Sequence, residues 1–397
     1  MSQTIKQSST RLLSLDVLRG ITIAGMILVN NPGSWGGIYP PLEHSQWNGL
    51  TPTDLVFPFF MFIMGVSMYL SYKKFDFKFT KTTFTKLLLR SVLLFLIGVA
   101  LNWFGLFSRE LSGLRTEDMP IFHKIWESAT NFENLRILGV LQRLALVFFF
   151  GSLTVLIFKP KRIPWLIGLI LVFYWILIAA TGSFGEDSKS LVFIIDRTVL
   201  GISHLYTDHL PNGTSIVFDP EGILSTLPGI AHVLLGFLAG KMITETKDNS
   251  QRIQKLFIFG TIILFLGFSL DYGFPINKKI WSTSFVLATS GLAALLFGLL
   301  IWLIDMKKLN RWSIFFESFG VNPLFIYVVA GVISILISYF GFNYLGDWIS
   351  IKGFIYDQGL VPVFGDLPGS LVFALLFVAL NWFIGNILYK KNIYIKL

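Results

Sequence analysis

The segment LVFPFFMFIMGVSMYLSY, residues 55–72, runs for 18 residues without a charge. A helix of about 20 such residues crosses the roughly 30 Å hydrocarbon slab of a bilayer. The pattern recurs about ten times, at 13–31, 54–72, 86–107, 135–158, 163–181, 223–243, 254–271, 281–304, 313–340 and 367–389. Charged residues are only 14% of the chain and mean hydropathy is +0.68, where a soluble domain carries about 25% charged residues. These features predict an all-α polytopic membrane protein whose residues 1–397 form a single transmembrane domain. The ninth apolar segment holds Asn322-Pro323, which predicts either a loop followed by a helix or a broken helix.

The excess of positive charge, +9, is spread between apolar runs, so it marks membrane topology and not a nucleic-acid partner. Lys73, Lys74, Lys78, Lys81 and Lys86 share one loop, and Lys307, Lys308 and Arg311 share another. Placing these loops in the cytoplasm, with Lys6, Arg11 and Lys396, puts both termini inside and residues 31–53 outside. The opening MSQTIKQSSTRLLSLDVLRG has no small-residue cleavage site and carries Asp16 and Arg19, so the first span is expected to be retained. There are no cysteines, which excludes thiolate nucleophiles, thiolate metal sites and disulfides. No HExxH, P-loop, GxSxG or GxGxxG pattern occurs. His204 and His209, with Asp208 between them, make at best a weak metal pattern; no metal is expected.

Ionisable groups inside spans usually face protein or a polar cavity. Asp16 and Arg19, three apart, read either as an ion pair at the inner interface or as a vestibule for a charged ligand. Arg136, Gln142 and Arg143 read as one side of a polar cavity suited to an anion. Asn30 and Asn31 precede Pro32-Gly33, as in a helix end and turn. Asp219-Pro220-Glu221 reads as a helix start. Asn277, Lys278, Lys279 and Trp281 read as interfacial anchors. Thr51, Pro52 and Asp54 resemble a capping box with Asp in place of Glu. Capping leaves His44, Trp47 and Asn48 unexplained; histidine is the side-chain type whose unperturbed charge change falls near neutral pH.

The run RLLSLDVLRG…MILVNN…H…WNGLTPTDLVFPFFMFIMGVSMYLS resembles the heparan-α-glucosaminide N-acetyltransferase family. GVLQRL, FDPEG, NKKIWSTSF and the Gly-Val-Asn-Pro at 320–323 support the resemblance in order, over almost the whole chain. Without the luminal N-terminal extension of the animal enzymes, the chain looks like a bacterial member in the inner (plasma) membrane. The resemblance implies a cytoplasmic acetyl-CoA donor and an amino-sugar or oligosaccharide acceptor on the far side. It implies that His44 is catalytic, and it places a second family residue on Asn30.

Acetyl transfer from a thioester to an amine needs a base and a stabilised oxyanion. His44 is the candidate base and Asp54 its orienting group. Asn30 and Asn48 are candidate oxyanion donors. Arg143, Gln142, Lys278, Lys279 and Asn48 are candidate CoA contacts. Trp47, Asp219, Glu221, Asn277 and Trp281 are candidate acceptor contacts. Direct transfer and an acetyl-histidine intermediate both remain open. So do O-acetylation of surface or cell-wall sugars, a sugar-transport function, and a homodimer.

Overall fold

The computed structural model describes residues 12–185, 189–209 and 215–395. Lys6, Arg11 and Lys396, three of the topology-marking basic residues, lie outside the described residues, as does the side chain of His209. The fold is a helical bundle with two small antiparallel hairpins. Its elements are α1 (Leu13–Asn30), α2 (Pro52–Lys73), α3 (Lys81–Gly113), α4 (Ile121–Thr130), α5 (Val140–Ala180), α6 (Leu191–Leu200), β1 (Thr207–His209), β2 (Ser215–Val217), α7 (Thr226–Glu245), α8 (Asn249–Asp271), α9 (Thr283–Leu300), α10 (Ser313–Val321), α11 (Pro323–Tyr339), β3 (Gly341–Tyr344), β4 (Asp347–Ser350) and α12 (Asp366–Lys390). The protein is a multi-pass membrane protein.

Among the described residues, eight helices are long and apolar enough to span, or nine counting the bent pair α10–α11. The sequence pattern predicts about ten, and α5 accounts for the difference. It runs 41 residues, about twice the length one crossing needs, and breaks at Lys159 (φ 61°, ψ 160°) just before Pro160. A residue preceding proline is pushed out of helical geometry. Near one end of α5, Arg143 bonds Ser225 just before α7. Near the other, Tyr174 bonds the Ile280 carbonyl just before α9. Both ends therefore lie on the same side, and α5 contains the fourth and fifth predicted spans as an out-and-back pair. The ninth predicted span is a broken helix: α10 and α11 meet at 86°. Asn322 fills the break. Its amide donates to Ile393 O (2.8 Å) and accepts from Ile395 N (2.8 Å).

Burial separates inner helices from outer ones. The apolar windows of α1, α2, α7 and α9 are 61–72% buried, those of α3 and α8 only 17% and 22%. The exposed Leu, Ile and Phe of α3 and α8 are thus the lipid-facing surface, which costs nothing in hydrocarbon. The inner helices approach through glycine. A Cβ on Gly236 would collide with the backbone carbonyl of Phe62, and one on Gly65 with that of Val233, so α2 and α7 touch backbone to backbone. Gly20 and Gly320 do the same for α1 and α10. Small residues at helix crossings are the usual means of close packing in membranes. Here they fix α1 and α2, whose adjoining ends carry Asn30 and Asp54.

Several helix starts differ from their sequence reading. Asp219 is not the cap of α7: it stands six residues upstream of Ser225, the capping position, inside a turn. Residues 135–139 lie outside the helix that begins at Val140, so Arg136 and Arg143 do not share a helix face. Trp281 is not an interfacial anchor but a core residue, 1% exposed, with its ring edge-on to Phe57 and Phe285.

Candidate active site

The 31–51 loop folds back over the start of α2. Pro52 occupies the first helical position, where its missing N–H is no loss, and Asp54 turns its carboxylate back toward the preceding loop. That carboxylate is fully buried. It accepts from Thr51 N (3.1 Å) and Ser45 N (3.1 Å), and its other oxygen lies 2.7 Å from His44 Nδ1. A carboxylate can only accept, so this contact requires a proton on Nδ1 and leaves the lone pair on Nε2. The His44 side chain is 45% exposed while Asp54 is sealed. The pair therefore presents one basic nitrogen to the surroundings.

Lys278 closes the group. Its Nζ lies 3.0 Å from His44 Nδ1, 3.4 Å from Nε2 and 3.5 Å from Asp54 Oδ1. Burial pushes the Lys278 ammonium below the usual lysine range, against the opposing pull of Asp54 and Glu221. The turn carrying Lys278 is braced by hydrogen bonds. Buried Asn277 receives Ile280 N on its side-chain oxygen (3.0 Å), and its backbone N–H donates to Ser282 Oγ (2.9 Å). Two bonds bind this turn to the His44 loop: Asn277 Nδ2 to Asn48 Oδ1 (3.2 Å) and Gly49 N to Ile276 O (2.8 Å). Gly49 has φ 123°, a conformation only glycine adopts readily. Trp47 anchors the loop from the other side. Its indole donates to Phe184 O (2.9 Å) and its ring packs edge-on to Phe193 and Phe218. Lys279 points away from His44; it pairs with Asp208 (2.5 Å) and lies 5.7 Å from the centre of the Trp47 ring.

The 219–225 turn forms a second polar centre. Arg136 grips Asp219 through Nε (2.9 Å) and Nη2 (2.8 Å), and Nη2 also reaches Glu221 (2.6 Å). Burial opposes the Arg136 charge, but the two carboxylates outweigh it and raise its pKa. Arg143, fully buried, donates to the carbonyls of Pro220, Gly222 and Ser225 and to Ser225 Oγ, and its guanidinium lies 5.3 Å from the Trp281 ring centre. Gln142 is buried against Gly98 of α3. Asp196 of α6 receives Ile223 N (2.8 Å) on the far side of the turn, and burial lifts its carboxyl to about 7.

Asn30 lies elsewhere. It lines a cavity of about 460 Å³ among α1, α3 and α11, with Asn102, Arg109, Arg136, Tyr327 and Ser334. Asn31 instead caps α1, its amide donating to Ile27 O (2.8 Å). Arg136 and Glu221 link the two regions: Arg136 forms part of the cavity wall, and Glu221 is paired with it while acting electrostatically on Lys278. The structure thus brings His44, Asp54 and Lys278 into one cluster backed by Asn48 and Asn277, and gathers Asp219, Glu221, Arg136, Arg143 and Trp281 around the neighbouring turn. At the end of α1 opposite Asn30, Asp16 and Arg19 form the ion pair of the simpler reading (3.1 Å), with Arg19 also reaching Ser67 (3.0 Å).

Sequence reasoning left the Lys278–His44 contact and Asp196 unfound. Lys278 lies 234 residues from His44, and no local pattern links them. Asp196 sits in a short amphipathic segment that looks like any surface helix.

No family model matches the chain. It is 29% identical over 448 residues to the heparan-α-glucosaminide N-acetyltransferase of Mus musculus, covering 100% of this chain and 62% of that protein. It is 30% identical over 372 residues to the Homo sapiens protein of the same name, covering 80% of this chain and 52% of that protein. The chain belongs to the heparan-α-glucosaminide N-acetyltransferase family. It spans 52–62% of the length of these curated relatives. The match across the full chain includes every element that builds the two polar centres. Among the described residues, no group of three or more His, Asp or Glu side chains is arranged to hold a metal.

Proposed function

We propose that the protein is a membrane acetyltransferase that moves an acetyl group from acetyl-CoA to the amine of a glucosamine-type sugar. His44 serves as general base. The observation that carries this reading is the 2.7 Å contact between His44 Nδ1 and the sealed Asp54 carboxylate, in a chain whose relatives are named for N-acetylation of a glucosaminide.

The geometry supports this chemistry. Asp54 holds the imidazole in the tautomer whose Nε2 is unprotonated. That nitrogen removes a proton from the attacking amine as the N–C bond forms, a role typically worth about 10²–10⁴-fold in rate. Asp54 offsets the charge on the resulting imidazolium at short range. Asn30, on the cavity wall, is assigned to the acceptor side. Asn48 holds Asn277 and so sets the loop that presents His44. Arg143 supports the 219–225 turn and has no donor directed to a ligand in this assignment. Acetyl-CoA approaches from the cytoplasmic face set by the lysine- and arginine-rich loops, and the sugar from the face of the 31–51 loop. The protein resides in a bacterial inner (plasma) membrane.

The test uses detergent-purified protein, labelled acetyl-CoA and a panel of amino sugars. N-acetylated product, lost on His44→Ala while acetyl-CoA still raises the melting temperature, supports the reading. A wild-type protein that neither acetylates any amino sugar nor is stabilised by acetyl-CoA overturns it. Label retained on His44 in a single turnover without acceptor selects the acetyl-histidine route over direct transfer.

A further inference from the structure

The contact between Lys278 and His44 has no role in the base mechanism just given. An interfacial lysine anchor should extend into the headgroups. Lys278 instead turns inward: its side chain is 15% exposed and its Nζ lies within 3.4 Å of both imidazole nitrogens. The charged and titratable groups facing it are Asp54 from α2, His44 from the 31–51 loop and Glu221 from the turn before α7. Asn277 and Gly49 hold its turn against the His44 loop, so the approach is built into the fold.

We propose that Lys278 is a second catalytic residue, the acid that protonates the departing thiolate and is then reloaded from His44. This inference rests on the acetyltransferase reading of the same site. Before reaction His44 is neutral and Lys278 is an ammonium. The amine nitrogen bonds to the thioester carbonyl carbon and its proton passes to Nε2. The carbonyl π electrons move onto oxygen, then return as the C–S bond breaks with its electron pair going to sulfur. The Lys278 ammonium gives that sulfur a proton. Lys278 is now an uncharged amine beside an imidazolium, and Nε2–H passes its proton across the 3.4 Å gap. Amine and thioester have become amide and thiol, and both side chains have recovered their starting states. A buried ammonium that parts with its proton more easily than an exposed one suits the acid step, since efficient proton donors have pKa values near the working pH.

The chain contains no cysteine, so Lys278→Cys introduces a unique thiol. Lys278→Met and Lys278→Cys are expected to keep their stabilisation by acetyl-CoA while turnover falls by about 10²–10⁴-fold. The introduced thiol is then modified with an aminoethyl methanethiosulfonate or with its trimethylammonium analogue. The first restores a titratable amine, the second a permanent charge with no proton to give. Rescue by the aminoethyl reagent alone is the expected result. Equal rescue by both reduces Lys278 to a fixed charge and overturns the proposal. So does rescue by neither after mass spectrometry shows complete modification, and so does full turnover in Lys278→Met. Wild-type protein without acetyl transfer would instead defeat the acetyltransferase reading, so the two failures are distinguishable.

Discussion

His44 Nδ1 lies 2.7 Å from Asp54 Oδ1, one partner open to the surroundings and the other sealed from water. The exposed imidazole is free to meet a substrate, while the buried carboxylate fixes its tautomer. Asp54→Asn keeps an acceptor for Ser45 N and Thr51 N but removes the charge and permits the wrong tautomer. It is expected to lower kcat by about 10²–10⁴-fold, in the range of the His44→Ala loss, with little change in KM for acetyl-CoA. Initial rates across a range of acetyl-CoA concentrations measure both. A tenfold rise in KM at unchanged kcat would assign Asp54 to binding.

Arg136→Ala leaves the buried Asp219 and the nearly buried Glu221 without their shared cation. Breaking a buried ion pair from one side costs about 3–5 kcal/mol. A large drop in the melting temperature of the detergent-solubilised protein is expected. Arg136→Lys should recover only part of it, because an ammonium cannot reproduce the two-point grip on Asp219. Full recovery with lysine would show that charge alone matters.

Asp196 gives an unusual pH signature. Its carboxyl titrates near 7 in the folded protein against 3.8 for an ordinary aspartate, so the folded state binds the proton more tightly. The stability it contributes is fully present below about pH 4 and is lost as pH rises through about 7. Melting temperatures from pH 5 to 8 should show wild type losing ground to Asp196→Asn as pH increases. A constant offset between the two across that range would contradict the assignment.

Gly236→Ala places a methyl group against the Phe62 carbonyl. Overpacking of this kind costs about 1–3 kcal/mol, here by forcing α2 from α7. Since α2 carries Asp54, activity should fall along with stability. The same substitution at Gly168, where a Cβ meets nothing within 4 Å, serves as the control and should leave both unchanged.

Most of the helical plan is legible along the chain, because crossing a bilayer demands long uncharged runs and their ends are marked by local chemistry. The LVFPFFMFIMGVSMYLSY run is α2, entered through Thr51-Pro52. The Asn322-Pro323 break is real, and so are both passes of α5, although the turn between them is only a kink at Lys159. Helix starts were less legible. Asp219-Pro220-Glu221 has the composition of a cap, but its acids are drawn to Arg136, 83 and 85 residues away. Trp281 has the composition of an interfacial anchor, but it fills the core beneath Arg143.

The sequence by itself determined that this chain lives in a membrane, roughly how often it crosses, and which loop carries its distinctive histidine. Those properties depend on runs and neighbours a few residues apart. Only the tertiary structure decided which polar groups meet. The Asn48–Asn277 bond across 229 residues and the Gly49–Ile276 backbone bond hold Lys278 beside His44 and leave Lys279 to Asp208. Two adjacent lysines look alike in sequence; the direction of one turn, set by long-range hydrogen bonds, gives them different partners.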